Sequence, residues 1–214
     1  MSRTNKTTLF LAFMAVMSSS LISAAAFAQP LPDPVPRVTE PPPPSAVQSA
    51  PQSNAFVIDR AAVEKFYADS VAAQLAGIDE TVAFLKKHAH EKLEATMKVI
   101  SRVHGAPQVQ KEEWTLDKRQ LILKMKEGAR NARVKSLKTN LLSVKFSDDG
   151  KQAKVKNTTF GVSLVRMASP EGEAMLMTAE QSMFCDDVLN LGPGGLIQYE
   201  TSHCNAELTF EPKN

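Results

Sequence analysis

From Arg133 to Phe210 the chain alternates apolar and polar side chains in four long runs, a pattern that commits this half of the sequence to β-strands. The runs are Arg133 to Ser147, Gln152 to Met167, Ala174 to Asp186 and Leu196 to Phe210. Turn chemistry separates them: Asp148-Asp149-Gly150, Ser169-Pro170-Glu171-Gly172 and Gly192-Pro193-Gly194-Gly195. Asp-Gly between alternating runs is a strong hairpin signal, because glycine accepts the positive φ that a tight turn requires. The result is a meander of long antiparallel strands. Strands of this length curve or bulge, and the adjacent Leu141-Leu142 marks where the alternation slips.

The two cysteines fix a register. Cys185 and Cys204 lie symmetrically about Gly194 and Gly195, inside the Gly-Pro-Gly-Gly turn. Opposed residues in that hairpin are Met183 with Ala206, Gln181 with Leu208, and Ala179 with Phe210, which makes one face mostly apolar. Opposed positions stand roughly 4.5 to 5.5 Å apart at Cβ, so a Cys185–Cys204 disulfide is within reach. The rival is a reactive thiol pair, for which no helix N-terminus or Cys-x-x-Cys spacing is present. The same register sets Asp186 opposite His203 on the other face. A carboxylate holding an imidazole is a unit of general-base chemistry, so these two are the weak catalytic candidates.

Upstream the spacing is helical. Asp59 can cap a first helix carrying Val63, Phe66, Tyr67, Val71 and Leu75, which Gly77 ends. Asp79 can cap a second, with Ile78, Val82, Leu85 and Ala89 against Lys86, Lys87 and Glu91. Thr96 to Val103 reads as a short strand and Gln108 to Glu113 as another. A third helix is expected from about Leu116 to Glu127, ended by Gly128.

The beginning of the chain reads as an address. Arg3 and Lys6 precede an apolar run from Leu9 to Met17, and Ala26-Phe27-Ala28 offers small residues where a signal peptidase cuts. Residues 1–28 are expected to be a cleaved signal peptide rather than an anchor, since the run is short and Ser18-Ser19-Ser20 interrupts it. The leader takes two of the 25 basic residues with it, leaving the mature chain formally neutral against 23 acidic ones. That balance removes the electrostatic footprint of a nucleic-acid binder. Nine of the 13 prolines fall between Gln29 and Asn54. Residues 29–55 are therefore expected to be a Pro-rich disordered linker, extended rather than packed, and more a spacer than a ligand for a receiving domain. Residues 56–214 form the folded domain.

Other constellations weaken on inspection. His88-Ala89-His90 would ligate a metal from a strand, but on a helix the two rings diverge by about 200°. His90-Glu91-Lys92-Leu93-Glu94 has Glu94 where a zincin needs its second histidine. No phosphate-binding glycine loop or nucleophile elbow occurs. No metal and no cofactor is expected.

Two helices, one or two short strands, a third helix and a four-strand meander of long curved strands form an order that resembles the nuclear transport factor 2-like superfamily over about Phe56 to Phe210, supported by Phe66-Tyr67 in the first helix, the Lys118 to Gly128 helix leading into Arg133, and long hairpins ending in Cys185 and Cys204. The resemblance implies an α+β fold with three N-terminal helices packed on a strongly curved, mainly antiparallel sheet, a cone around a pocket. It implies either a noncatalytic binding or assembly module, or a small isomerase or hydrolyase with a general base in the pocket. No catalytic residue carries over. A buried acid or base beside Tyr67 or Trp114, the two binding candidates, would favour the enzyme. The expectation is an exported periplasmic or secreted binding module without stable membrane insertion. Its partner is a protein or a second copy in a homodimer, and a small apolar ligand fits the cone.

Overall fold

The computed structural model describes residues 56–107, 109–168 and 174–212. The expected signal peptide, the proline segment and the Ser169 to Gly172 turn lie outside them.

Helix α1 spans Arg60–Ala76, and Asp59 caps it by accepting from the Ala62 amide at 2.7 Å. Its buried stripe is Val63, Phe66 and Tyr67. Gly77, at φ 149°, turns the chain directly into α2, Ile78–His88. Gly77 is the residue before the helix, so Asp79 sits in the first turn instead of capping it. There it faces the positive end of the helix dipole, with Lys86, Lys87 and His88 at the negative end.

Strand β1, Ala89–Val103, is much longer than the expected Thr96 to Val103. From Leu93 the buried residues recur every second position, Leu93, Ala95, Val99 and Ser101 among them, and this period overrides the helical spacing that leads into Ala89. Strand β2, Val109–Leu116, returns antiparallel to β1. Leu116 thus ends a strand. Helix α3, Lys118–Ala129, begins after Asp117, where a capping box pairs the Asp117 carboxylate with the Gln120 amide at 2.7 Å and the Gln120 side chain with the Asp117 amide at 3.0 Å. Gly128 lies within this helix, which runs on to Ala129.

The meander follows as β3, Ala132–Phe146; β4, Gln152–Ala168; β5, Ala174–Leu191; and β6, Ile197–Pro212. One sheet of order β2-β1-β6-β5-β4-β3 results, antiparallel except where β1 lies parallel to β6. The register of β3 on β4 shifts between Leu141 and Ser143, leaving Leu142 exposed at the expected slip. A second shift falls between Val134 and Ser136. The β5 to β6 pairing is the one the cysteines specify: Met183 faces Ala206, Ala179 faces Phe210, and Cys185 bonds Cys204. In the turn, Gly195 has φ 79°, and a Cβ there would fall 2.5 Å from the Phe56 ring. That position needs glycine for both reasons.

All three helices cover one face of the sheet, here the inner face. Val99, Val165, Met177, Leu208 and Phe210 form one buried cluster; Val63, Phe66, Tyr67, Val155 and Leu189 form a second. The apolar face read from the sequence is therefore packed: Met177 is 1% exposed and Phe210 0%. Phe160 and Leu176, on the outer face, are 50% and 42% exposed.

Candidate functional site

Between the helices and the inner face lies a cavity of about 120 Å³. Helix α1 reaches it with Tyr67, Ser70 and Gln74, α2 with Phe84 and Leu85, and α3 with Leu121 and Met125. The sheet supplies a polar rung. Cys185 and Cys204 form a cross-strand pair on the inner face, so Asp187 and Ser202, two residues along each strand, form the next one inward-facing. Asn157 stands beside them on β4, opposite Cys185.

Three side chains donate to the Asp187 carboxylate. Ser202 Oγ donates to Oδ1 at 2.6 Å, while Tyr67 Oη and Asn157 Nδ2 both donate to Oδ2, the latter at 2.7 Å. Asn157 Nδ2 also reaches Tyr67 Oη at 3.3 Å. Asp187 is 4% exposed. Burial pushes its pKa above the usual carboxylate range, opposed by the donors Ser202, Tyr67 and Asn157. Burial also raises Tyr67 well above an ordinary phenol, reinforced by the charge on Asp187, and does the same to Tyr199. Both tyrosines therefore keep their protons at neutral pH, and Tyr67 donates its own to Asp187.

An aromatic cluster holds Tyr67 in place. Phe66 meets Tyr199 edge to face at 4.8 Å between centroids, and Tyr67 meets Tyr199 at 6.3 Å. Phe84 stacks on His88 at 4.4 Å. The His88 Nδ1 hydrogen points at the Ile197 carbonyl at 2.8 Å, and burial lowers the ring's pKa, favouring the neutral form.

The candidates from sequence fall in different places. Tyr67 lines the cavity; Trp114 packs against the sheet cluster, opposite Met97 on β1. Asp186 does stand across from His203 on the outer face, but its carboxylate takes Lys156 Nζ at 2.9 Å. His88 closes α2 while His90 lies in β1, where its Nδ1 accepts from the Lys92 amide at 3.2 Å. The two histidines belong to different elements, so a shared helix is not what separates them. Among the described residues, Cys185, Asp187 and Cys204 bring three candidate metal-ligand atoms together, but both sulfurs are bonded to each other and offer no thiolate.

The cavity's central carboxylate was legible in part. The register that put Asp186 outside puts Asp187 inside, facing Ser202 one rung beyond the cysteines. A wider, shallower groove of about 670 Å³ crosses the outer face near Phe160 and Phe184. Lys98 Nζ pairs with Glu113 there at 3.2 Å, and burial raises the pKa of Glu112, a half-buried lining residue.

Helices on one face of a six-stranded mixed sheet, over a polar-floored cavity, make this an α+β fold with three helices packed on a mainly antiparallel sheet. No family model and no curated protein matches the sequence. Solved structures similar to it include a ketosteroid isomerase-like protein from Erwinia carotovora atroseptica, 12% identical with a TM-score of 0.38 over 73% of this chain and 98% of that one. An NTF2-like protein from Cytophaga hutchinsonii is 12% identical with a TM-score of 0.45 over 70% and 98%. Aln2 from a Streptomyces species is 15% identical with a TM-score of 0.40 over 73% and 91%. Likenesses this distant transfer no residue role.

Proposed function

We propose that this chain is an exported, noncatalytic binding module whose inner cavity takes a small, mainly apolar compound, with residues 29–55 as a spacer. The observation that supports the reading is the state of Asp187. Its carboxylate accepts from three protein donors, so Tyr67, Asn157 and Ser202 are engaged with Asp187 rather than presented to a guest. A binder needs only shape and a polar anchor, which the aliphatic, thioether and aromatic wall and Asp187 supply. The Cys185–Cys204 bond is compatible with an oxidising compartment, for which the periplasm is our reading.

Ligand-observed NMR with 1-butanol tests the reading. Saturable binding by the wild type, lost in Gln74→Trp with unchanged circular dichroism, is expected, since that ring would occupy the cavity from α1. Equal binding by both proteins would place the ligand elsewhere.

A second reading, a small isomerase or hydrolyase, is favoured by one observation: Asp187 is a buried carboxyl with a raised pKa beside Tyr67. It requires that the protein exchange the α-protons of a small ketone for deuterium, and that Asp187→Asn abolish the exchange. No exchange by the wild type would sink it.

The partner in our reading is a second copy across the outer face, where Phe160 and Leu176 are uncovered. Sedimentation equilibrium at micromolar concentration should give a dimer for the wild type and a monomer for Leu176→Lys, whose folding stability should change by less than about 0.5 kcal/mol. A wild-type monomer would contradict this.

A further inference from the structure

We infer that the compound taken by the inner cavity is a small primary amine, bound as its ammonium form with the charged nitrogen against Asp187 Oδ1 and its hydrocarbon part among Leu93, Met97, Met125 and Met183. This inference rests on the binding reading above and narrows it to a ligand class.

The cavity's hydrogen-bonding capacity is unevenly used. On the cavity floor the donors are already committed. Tyr67 Oη, Asn157 Nδ2 and Ser202 Oγ all point at Asp187, and Thr81 Oγ1 gives its hydrogen to the α1–α2 junction, 2.6 Å from the Gly77 carbonyl. What remains open is acceptor capacity. Among the described residues Oδ2 of Asp187 receives two side-chain hydrogen bonds, whereas Oδ1 receives only that of Ser202, so Oδ1 retains a lone pair. Beside Asp187 a guest that itself only accepts, such as a ketone or an ether, finds these donors engaged; farther along the lining Thr139 and Thr159 pair at 2.8 Å and Gln74 Nε2 gives one hydrogen to Ser70 Oγ at 3.3 Å. A guest that donates finds an acceptor.

Charge decides among the donors. Asp187 is the only formally charged side chain in the described lining. A carboxylate guest would set two like charges side by side in a poorly solvated space, where they repel. An alcohol could donate one hydrogen bond but leave the buried charge uncompensated. An ammonium group both donates and neutralises. Burial of Asp187, which by itself disfavours the ionised carboxylate, is offset by such a guest. The rings of Tyr67, Tyr199 and Phe84 also line the cavity and suit a cation, since an aromatic face carries negative potential. The remaining wall is thioether and aliphatic, which accommodates a hydrocarbon chain without further polar demand. The cavity's volume of about 120 Å³ restricts the guest to a few carbon atoms.

Three isosteres separate the possibilities: n-butylamine, 1-butanol and butyrate, titrated at pH 7 into the full mature protein with amide chemical shifts as the readout. Butylamine should bind at least about tenfold more tightly than 1-butanol, and butyrate at least about tenfold more weakly. In Asp187→Asn the amine's advantage over the alcohol should shrink to less than about twofold. 1-Butanol binding as tightly as butylamine would overturn the amine assignment and leave the cavity reading standing. Butyrate binding best would overturn it as well and point to an unrecognised cation. Failure of all three to bind would refute both the amine and the cavity reading.

Discussion

Asp187→Leu is expected to cost about 3 kcal/mol or more of folding stability, whereas Asp187→Asn should cost less than about 1 kcal/mol at pH 7. Leucine removes the acceptor shared by Tyr67, Asn157 and Ser202, leaving buried donors that each carry a penalty of about 1–3 kcal/mol when unpaired. Rotation of the two hydroxyls toward other acceptors keeps the total below the simple sum. Asparagine retains one carbonyl oxygen for Tyr67 and Asn157, can donate its amide to a rotated Ser202 hydroxyl, and removes the buried charge. The pH dependence gives the same comparison a sign. Burial raises the pKa of Asp187 in the folded chain above its unfolded value, so the folded protein holds that proton to higher pH. The stabilising contribution is complete below about pH 4, the unfolded value, and is lost as pH rises through the folded one. Wild type should therefore lose stability relative to Asp187→Asn across that interval. Urea unfolding of the three proteins between pH 3 and 8 measures it. An Asp187→Leu variant as stable as wild type would mean that the polar rung does not hold together as described.

Removing the disulfide should be comparably damaging. Cys185 and Cys204 close a loop with a sequence separation of 19, and constraint of the unfolded chain by a loop of that size is worth about 3 kcal/mol. Both residues are buried on the inner face, so Cys185→Ala with Cys204→Ala also sheds packed sulfur. The double variant should unfold at a markedly lower urea concentration with an unchanged far-ultraviolet spectrum beforehand. Loss of the bond should loosen the cavity too, because Cys204 Sγ lies 3.4 Å from Ser202 Oγ, the hydroxyl that binds Asp187. Equal unfolding midpoints for the double variant and the wild type would contradict the bond's contribution.

The parts of this fold that the sequence discloses are those set by local chemistry. The Gly192 to Gly195 turn and two cysteines determine the β5 to β6 register residue by residue, and Asp148-Asp149-Gly150 determines the hairpin before it. Leu142 falls at a real register shift because two adjacent leucines cannot share one face of a pleated strand. The pairing of β1 with β6 was not legible. Those strands run parallel and lie nearly 100 residues apart along the chain, with no turn or covalent bond connecting them, so only the completed sheet brings them together. The start of β1 was hidden as well, since Ala89 continues the three-and-four spacing of α2.

The candidate site divides along the same line. Asp186 drew attention because a histidine faced it, yet the strand period sends it outward to Lys156 and sends its neighbour Asp187 inward. The cysteine register alone was enough to identify the Asp187 and Ser202 pair. Tyr67 and Asn157 required more, namely where α1 crosses the sheet and how β4 is aligned with β5, and neither follows from alternation.

The central claim is that a ligand occupies the inner cavity over Asp187, and isotope-filtered NOE spectroscopy of the mature protein with n-butylamine tests it most directly. Cross-peaks from the protons on the amine's carbons should reach the methyl groups of Met97, Met125 and Met183. Cross-peaks confined to Phe160, Phe184 and Leu176 on the outer face, or none at saturating amine, would contradict it.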